Sequence, residues 1–249
     1  MRLVLAVALI PWMLACQGHA ARQSAASSSP ASEADEPATY QAEVEEGLGA
    51  AVAILVDTSG SMREKVPGDS RPKYVIAQEA IENMLDATDA FVAKRPGFPI
   101  KVGVYSFSSG VRTLRPIQAY DRAAIKAALA NLPRPGGGTA IGEAMREARP
   151  DLYRAGVFRK YLLVVTDGEN TSGRRPDRVA EDIWRKSQGA VQIYFVAFDT
   201  SPDKFAFLKD VGGDVIGAGT GPDLRAALDG IYKGKILAEA PGAEREPGK

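Results

Sequence analysis

Five oxygen-bearing side chains stand where apolar segments stop or glycine runs end: Asp57, Ser59 and Ser61 in "DTSGS", Thr139 in "PGGGT", and Asp167 in "VVTDGEN". The two aspartates follow directly on the strand-like runs "AVAILV" and "YLLVVT". Open α/β sheets bind ligands beyond the carboxyl ends of their strands, where the strand order reverses. Neighbouring strands ending at Asp57 and Asp167 would therefore present both carboxylates to one crevice. Three glycines ahead of Thr139 let its loop come close without side-chain obstruction. Two carboxylates and three hydroxyls form an all-oxygen set, which suits a hard cation.

The elements needed to position this set can be read from periodicity. Strands are expected at 51–56, 100–107, 111–117, 161–166 and 191–198, with a short one near 215. The first, fourth and fifth are nearly continuous apolar runs, as strands covered on both faces should be. Helices are expected at 73–94, 121–131, 140–153, 177–187, 203–210 and 222–235; in the first, Ala77, Ile81, Met84, Leu85, Thr88 and Val92 make one apolar stripe. The connection "SSG" between 107 and 111 is too short for a crossover, so that pair is an antiparallel hairpin. The other connections are long enough for right-handed parallel units. The fold class is α/β: a doubly wound, mostly parallel six-stranded sheet with strand 3 antiparallel and helices on both faces, for which the common strand order is 3-2-1-4-5-6.

"DTSGS" at 57–61, Thr139 in "GGGT" and Asp167 in "TDG" resemble the metal-ion-dependent adhesion site of von Willebrand factor type A domains, whose motif is D-x-S-x-S with a distant T and D. The resemblance covers about 49–237, with all five positions in the family's order. It implies that Ser59, Ser61 and Thr139 approach a Mg2+ or Mn2+ ion through their hydroxyls, while Asp57 and Asp167 bind directly or through waters. Magnesium holds about six oxygens near 2.1 Å and gives up water reluctantly. Held mostly by neutral hydroxyls it keeps much of its charge and still attracts an anion. In this family a partner's Glu or Asp fills the open position, so the resemblance implies a protein-binding clamp rather than an enzyme.

Other readings compete at single residues. Thr139 alone could be a helix N-cap, and Ser59 and Ser61 alone turn formers. The "GGG" run matches neither G-x-G-x-x-G nor a Walker loop. A magnesium phosphatase with an aspartyl nucleophile needs a second Asp two positions after the first, where this chain has Ser59. A Ser-His-Asp hydrolase lacks its base, because the one histidine, His19, lies in or beside the leader. A structural scaffold in an envelope complex is a third alternative. Arg63, Lys65, Arg134, Arg174 and Arg175 fall on loops around the crevice, with Glu64, Asp69 and Glu169 among them; they could attract an acidic ligand or be scattered solvated charges.

Composition bounds the rest. With 249 residues, 45% hydrophobic and 25% charged, the chain suits one globular domain with tails. Thirty-one basic residues balance 31 acidic ones, so overall charge gives no reason to invoke nucleic acid or an anionic membrane surface. Arg2 and the apolar run 3–14 read as an export signal, since the run is shorter than the roughly 20 residues of a spanning helix. Cys16 in "MLAC" resembles the lipobox cysteine of bacterial lipoproteins, which implies acylation and a lipid anchor in the cell envelope, in the periplasm or on the surface. Secretion with cleavage after Ala20 is the alternative. The expected layout is a signal peptide at 1–15, a disordered tether at 16–48, the folded domain at 49–237 and a disordered tail at 238–249. With a single cysteine the chain forms no internal disulfide.

Overall fold

Runs that are apolar on both faces need cover on both faces, and the chain supplies it with two helical layers. The structure, a computed structural model, describes residues 47–238. The expected signal peptide, Cys16, His19, Ala20, most of the tether and residues 239–249 lie outside the described residues.

The strands are β1 (Gly47–Asp57), β2 (Ile100–Phe107), β3 (Val111–Ala119), β4 (Val157–Thr166), β5 (Val191–Phe198) and β6 (Asp214–Ala218). They form one sheet in the order β3-β2-β1-β4-β5-β6. Every neighbouring pair is parallel except the β2–β3 hairpin. The helices are α1 (Lys73–Lys94), α2 (Arg122–Ala130), α3 (Ile141–Tyr153), α4 (Pro176–Lys186) and α5 (Gly221–Ile231).

Alternation along β1 divides the core. Ala50, Val52, Ile54 and Val56 pack in one layer with α1, α2 and α5. Ala51, Ala53 and Leu55 pack in the other with α3 and α4. A strand buried on both faces anchors its end firmly, and β1 ends at Asp57, the first residue of the candidate set.

Some elements differ from the periodicity reading. β1 begins at Gly47 and β4 at Val157, because pairing between them (Gly47 with Val157) extends the sheet beyond the apolar runs. The segment expected as a helix at 203–210 is a 3-10 segment, Pro202–Val211, broken at Phe205 where φ is −113°. The last helix is α-helical only to Ile231 and continues as a π-turn over Tyr232–Leu237. In α1, Ile76 and Ala80 join the buried stripe and Val92 is only partly buried. Among the described residues no helix is long and apolar enough to cross a membrane.

Candidate functional site

β1 and β4 are neighbours at the point where strand order reverses, so Asp57 and Asp167 emerge side by side. Asp57 is fully buried. Its Oδ1 accepts from the Ser59 backbone N–H at 2.7 Å and its Oδ2 from the Thr166 hydroxyl at 2.6 Å. Burial pushes its pKa up to about 6, outweighing the hydrogen bonds from Thr166 and Ser59 that pull it down.

Asp57 thus fixes the start of the turn that carries both serines. Ser59 and Ser61 point their hydroxyls at one another, Oγ to Oγ 3.2 Å. Ser59 precedes the short 3-10 turn Gly60–Arg63 but makes no side-chain cap, so the turn-former account leaves its hydroxyl unexplained. The Ser61 hydroxyl donates to Asp167 Oδ1 at 2.7 Å. The Asp167 side chain is closed to solvent, and its other oxygen accepts from Lys73 Nζ at 3.1 Å.

Thr139 enters on the loop before α3. It is not that helix's N-cap: α3 starts at Ile141 behind Ala140 with no side-chain cap. Backbone bonds stitch its loop to each neighbour. Gly60 N donates to Gly137 O and Gly136 N to Thr58 O, tying it to the serine turn. Gly138 N donates to Ser109 Oγ and Ala140 N to Ser108 O, tying it to the β2–β3 hairpin. Thr139 N donates to Thr171 Oγ1 while Thr171 N donates to Thr139 O, tying it to the segment after Asp167. A Cβ at Gly138 would stand 2.8 Å from Thr171 Oγ1, which explains a glycine there. With Gly136 and Gly138 N–H spent on internal bonds, the glycine loop is not built as a phosphate cradle.

The five residues picked from the sequence are therefore gathered on three interlocked loops at the sheet's switch point. Among the described residues no group of three or more His, Cys, Asp or Glu side chains is arranged to hold a metal. The Ser59 and Ser61 hydroxyls meet there, beside Asp57 and Asp167, and Thr139 is brought in on the adjoining loop.

A family model for the von Willebrand factor type A domain matches residues 52–169, which include all five positions. Over residues 52–169 the chain matches the von Willebrand factor type A (VWA) domain. A curated relative, the uncharacterized protein YwmC of Bacillus subtilis, is 26% identical over 176 residues, covering 65% of this chain and 72% of that one. The fold is also that of the PilB minor pilin from Streptococcus sanguinis (TM-score 0.62, 15% identity), although this chain spans only 63% of that pilin chain while 78% of its own length is covered. BatB from Bacteroides thetaiotaomicron is similar too (TM-score 0.57, 22% identity, 74% of this chain and 98% of that one).

Several residues of the VWA crevice escaped the sequence reading. Thr166 holds Asp57, yet a threonine at a strand end carries no signal of its own. Thr171 and Ser109 brace the Thr139 loop from segments with no recognisable pattern. Lys73 did leave a trace. A cation at the first residue of a helix opposes the helix dipole, and such a placement calls for acidic company. Its side chain is only 5% exposed and pairs with Asp167 and with Asp199 at 2.8 Å. Burial pulls its pKa down, but the hydrogen bonds to Asp199 and Asp167 win and hold it above the ordinary lysine value.

Proposed function

We propose that this VWA domain is a non-enzymatic protein-binding module that captures an exposed Asp or Glu of a partner protein through a divalent ion, Mg2+ or Mn2+. Ser59, Ser61 and Thr139 would hold the ion directly, with Asp57 and Asp167 behind them. The carrying observation is that both carboxylates are already engaged in orienting the serine turn. Asp57 takes Ser59 N–H and Thr166 Oγ, while Asp167 takes Ser61 Oγ and Lys73 Nζ. The spacing also fits: adjacent oxygens about 2.1 Å from an octahedral Mg2+ stand roughly 3.0 Å apart, and Ser59 Oγ and Ser61 Oγ are 3.2 Å apart.

When bound, the ion would supply a positive coordination position for an incoming carboxylate. The chain's own rim favours the same ligand: Arg63, Lys65 and Arg134 are exposed and, among the described residues, take part in no ion pair, whereas Arg174 and Arg175 are turned toward Glu143 and Asp177. Against a phosphatase stands Ser59 in the place of a second aspartate, and no histidine lies within the described residues.

The expected export signal and the lipobox-like Cys16 support a module of the bacterial cell envelope, held by a lipid anchor and serving adhesion or envelope assembly. The minor pilin among the similar structures supports a surface or envelope role. Cys16→Ser should then release the protein from the detergent phase. Recovery of unmodified wild-type protein cut after Ala20 would show secretion instead. The function itself is tested by capture from envelope extract, run with magnesium and with chelator. Retention of a partner by wild type in magnesium only, and loss of it in Thr139→Ala, is the expected result. Equal retention in chelator would reject metal-mediated capture, and magnesium-dependent turnover of a phosphate ester lost in Asp57→Ala would make the domain an enzyme.

A further inference from the structure

Among the described residues, Lys73 is the one buried cation touching the candidate ligands. Its ammonium meets Asp167 Oδ2 at 3.1 Å, Asp199 Oδ2 at 2.8 Å and, more loosely, Glu64 Oε2 at 3.8 Å. Three features fix it there. Lys73 N donates to Glu64 O, an isolated bridge joins Lys65 to Pro72, and Lys73 is the first residue of α1, whose far side is anchored in the core. Asp199 reaches it from the end of β5 with a left-handed backbone (φ 51°), a conformation Asp tolerates better than most residues. Neither Asp199 nor Lys73 belongs to the family's five-residue motif, yet Lys73, held by Asp199, occupies one oxygen of the closed-off Asp167 carboxylate.

We propose that Lys73 is a resident counter-cation that sets the charge of the site: it occupies Asp167 Oδ2, keeps that carboxylate from closing directly on a divalent ion, and so leaves the ion under-neutralised toward an acidic partner. This rests on the proposed metal site. Two consequences follow from electrostatics. Without metal, Lys73 supplies the positive charge that lets Asp167 be buried, since an unpaired buried carboxylate is strongly destabilising. With metal, a unit charge in contact with a ligand carboxylate lowers the affinity of the site for another cation. Lys73 therefore gives up metal affinity in exchange for a preformed crevice and a more electrophilic ion.

The test is calorimetric titration of the full chain with MnCl2, together with thermal melts in chelator and in manganese, for wild type, Lys73→Gln and Lys73→Arg. Lys73→Gln should bind Mn2+ about tenfold more tightly. It should melt lower than wild type in chelator and gain more from metal, while Lys73→Arg, which keeps the charge, stays near wild type in all three readings. If Lys73→Gln fails to fold, the double variant Lys73→Gln with Asp199→Asn removes a cation and an anion together; because Lys73 is the one in contact with Asp167, the tightening should keep its sign but be smaller. Unchanged or weaker Mn2+ binding in the neutral variants overturns the role of Lys73. A wild type that takes up no Mn2+ overturns the metal site itself, and with it this proposal.

Discussion

Ser61 Oγ donates to Asp167 Oδ1 across 2.7 Å, joining residues 106 positions apart in the chain. The bond runs from the turn after β1 to the end of β4, so the two central strands are tied at their carboxyl ends by the side chains that frame the crevice. Its direction matters. A serine that gives its proton to a buried carboxylate keeps its lone pairs for whatever occupies the crevice, and the carboxylate acts by aiming the hydroxyl.

Ser61→Ala should therefore separate two effects. Loss of a hydrogen bond to a charged acceptor lowers stability by about 1.5–3 kcal/mol, measurable by urea unfolding in chelator. Loss of a direct metal ligand should weaken Mg2+ at least tenfold, which removes about 1.4 kcal/mol of the stabilisation that saturating metal gives wild type. A variant destabilised in chelator but stabilised by magnesium as much as wild type would show that Ser61 braces the fold without touching the ion.

Asp57 predicts a pH signature of the metal-free protein. Its folded-state pKa, raised to about 6 from 3.8 chiefly by burial, means the folded chain binds the proton more tightly than the unfolded chain. Its contribution to stability is fully present below pH 3.8 and is lost as pH rises through 6. The lost stability is of order 3 kcal/mol. Other carboxylates, such as Asp69 and Glu143, are held low by Arg71 and Arg146 and slope the opposite way, so the readout is wild type compared with Asp57→Asn. In chelator, wild type should lose stability relative to Asp57→Asn between pH 4.5 and 7. A pH-independent difference would contradict the burial account.

Gly142 lies in the first turn of α3 against the segment after Asp167, and a Cβ there would fall 2.2 Å from Arg174 O. Backbone cannot rotate aside as a side chain can. Gly142→Ala should destabilise the domain by about 1–3 kcal/mol, as overpacking does, and weaken metal binding by displacing the loop that holds Thr139 through Thr171. Gly168 faces open space, so Gly168→Ala serves as the control and should leave both properties unchanged. Unfolding curves and metal titrations of the two variants check this; equal behaviour would mean that the α3 contact does not shape the crevice.

Most of the architecture was legible because its determinants are local and repetitive. Apolar runs such as "AVAILV" and "YLLVVT" announce buried parallel strands, and a three-residue connection at 108–110 forces a hairpin. The meeting of the five candidate residues on adjoining loops was legible for a related reason: they sit at strand ends and after a glycine run, where pattern breaks are visible. The bracing shell was not. Thr166, Thr171 and Ser109 act through one or two hydrogen bonds to distant residues, and no periodicity marks such a partner. Lys160 shows the same limit in the core: a lysine reads as surface, yet it is buried within β4. The segment Pro202–Val211 reads as helix, but the chain breaks at Phe205, whose ring is buried against Phe195, a long-range contact that local spacing does not mark.

The central claim is that one divalent ion sits between the serine turn and Thr139 rather than on the two aspartates. Crystals of the protein soaked in manganese, with anomalous density located at the manganese edge, test it directly. The predicted result is a single strong peak within bonding distance of Ser59 Oγ, Ser61 Oγ and Thr139 Oγ1, absent in Thr139→Ala. No peak in the crevice, or a peak ligated by Asp57 and Asp167 with the three hydroxyls turned away, would contradict the account.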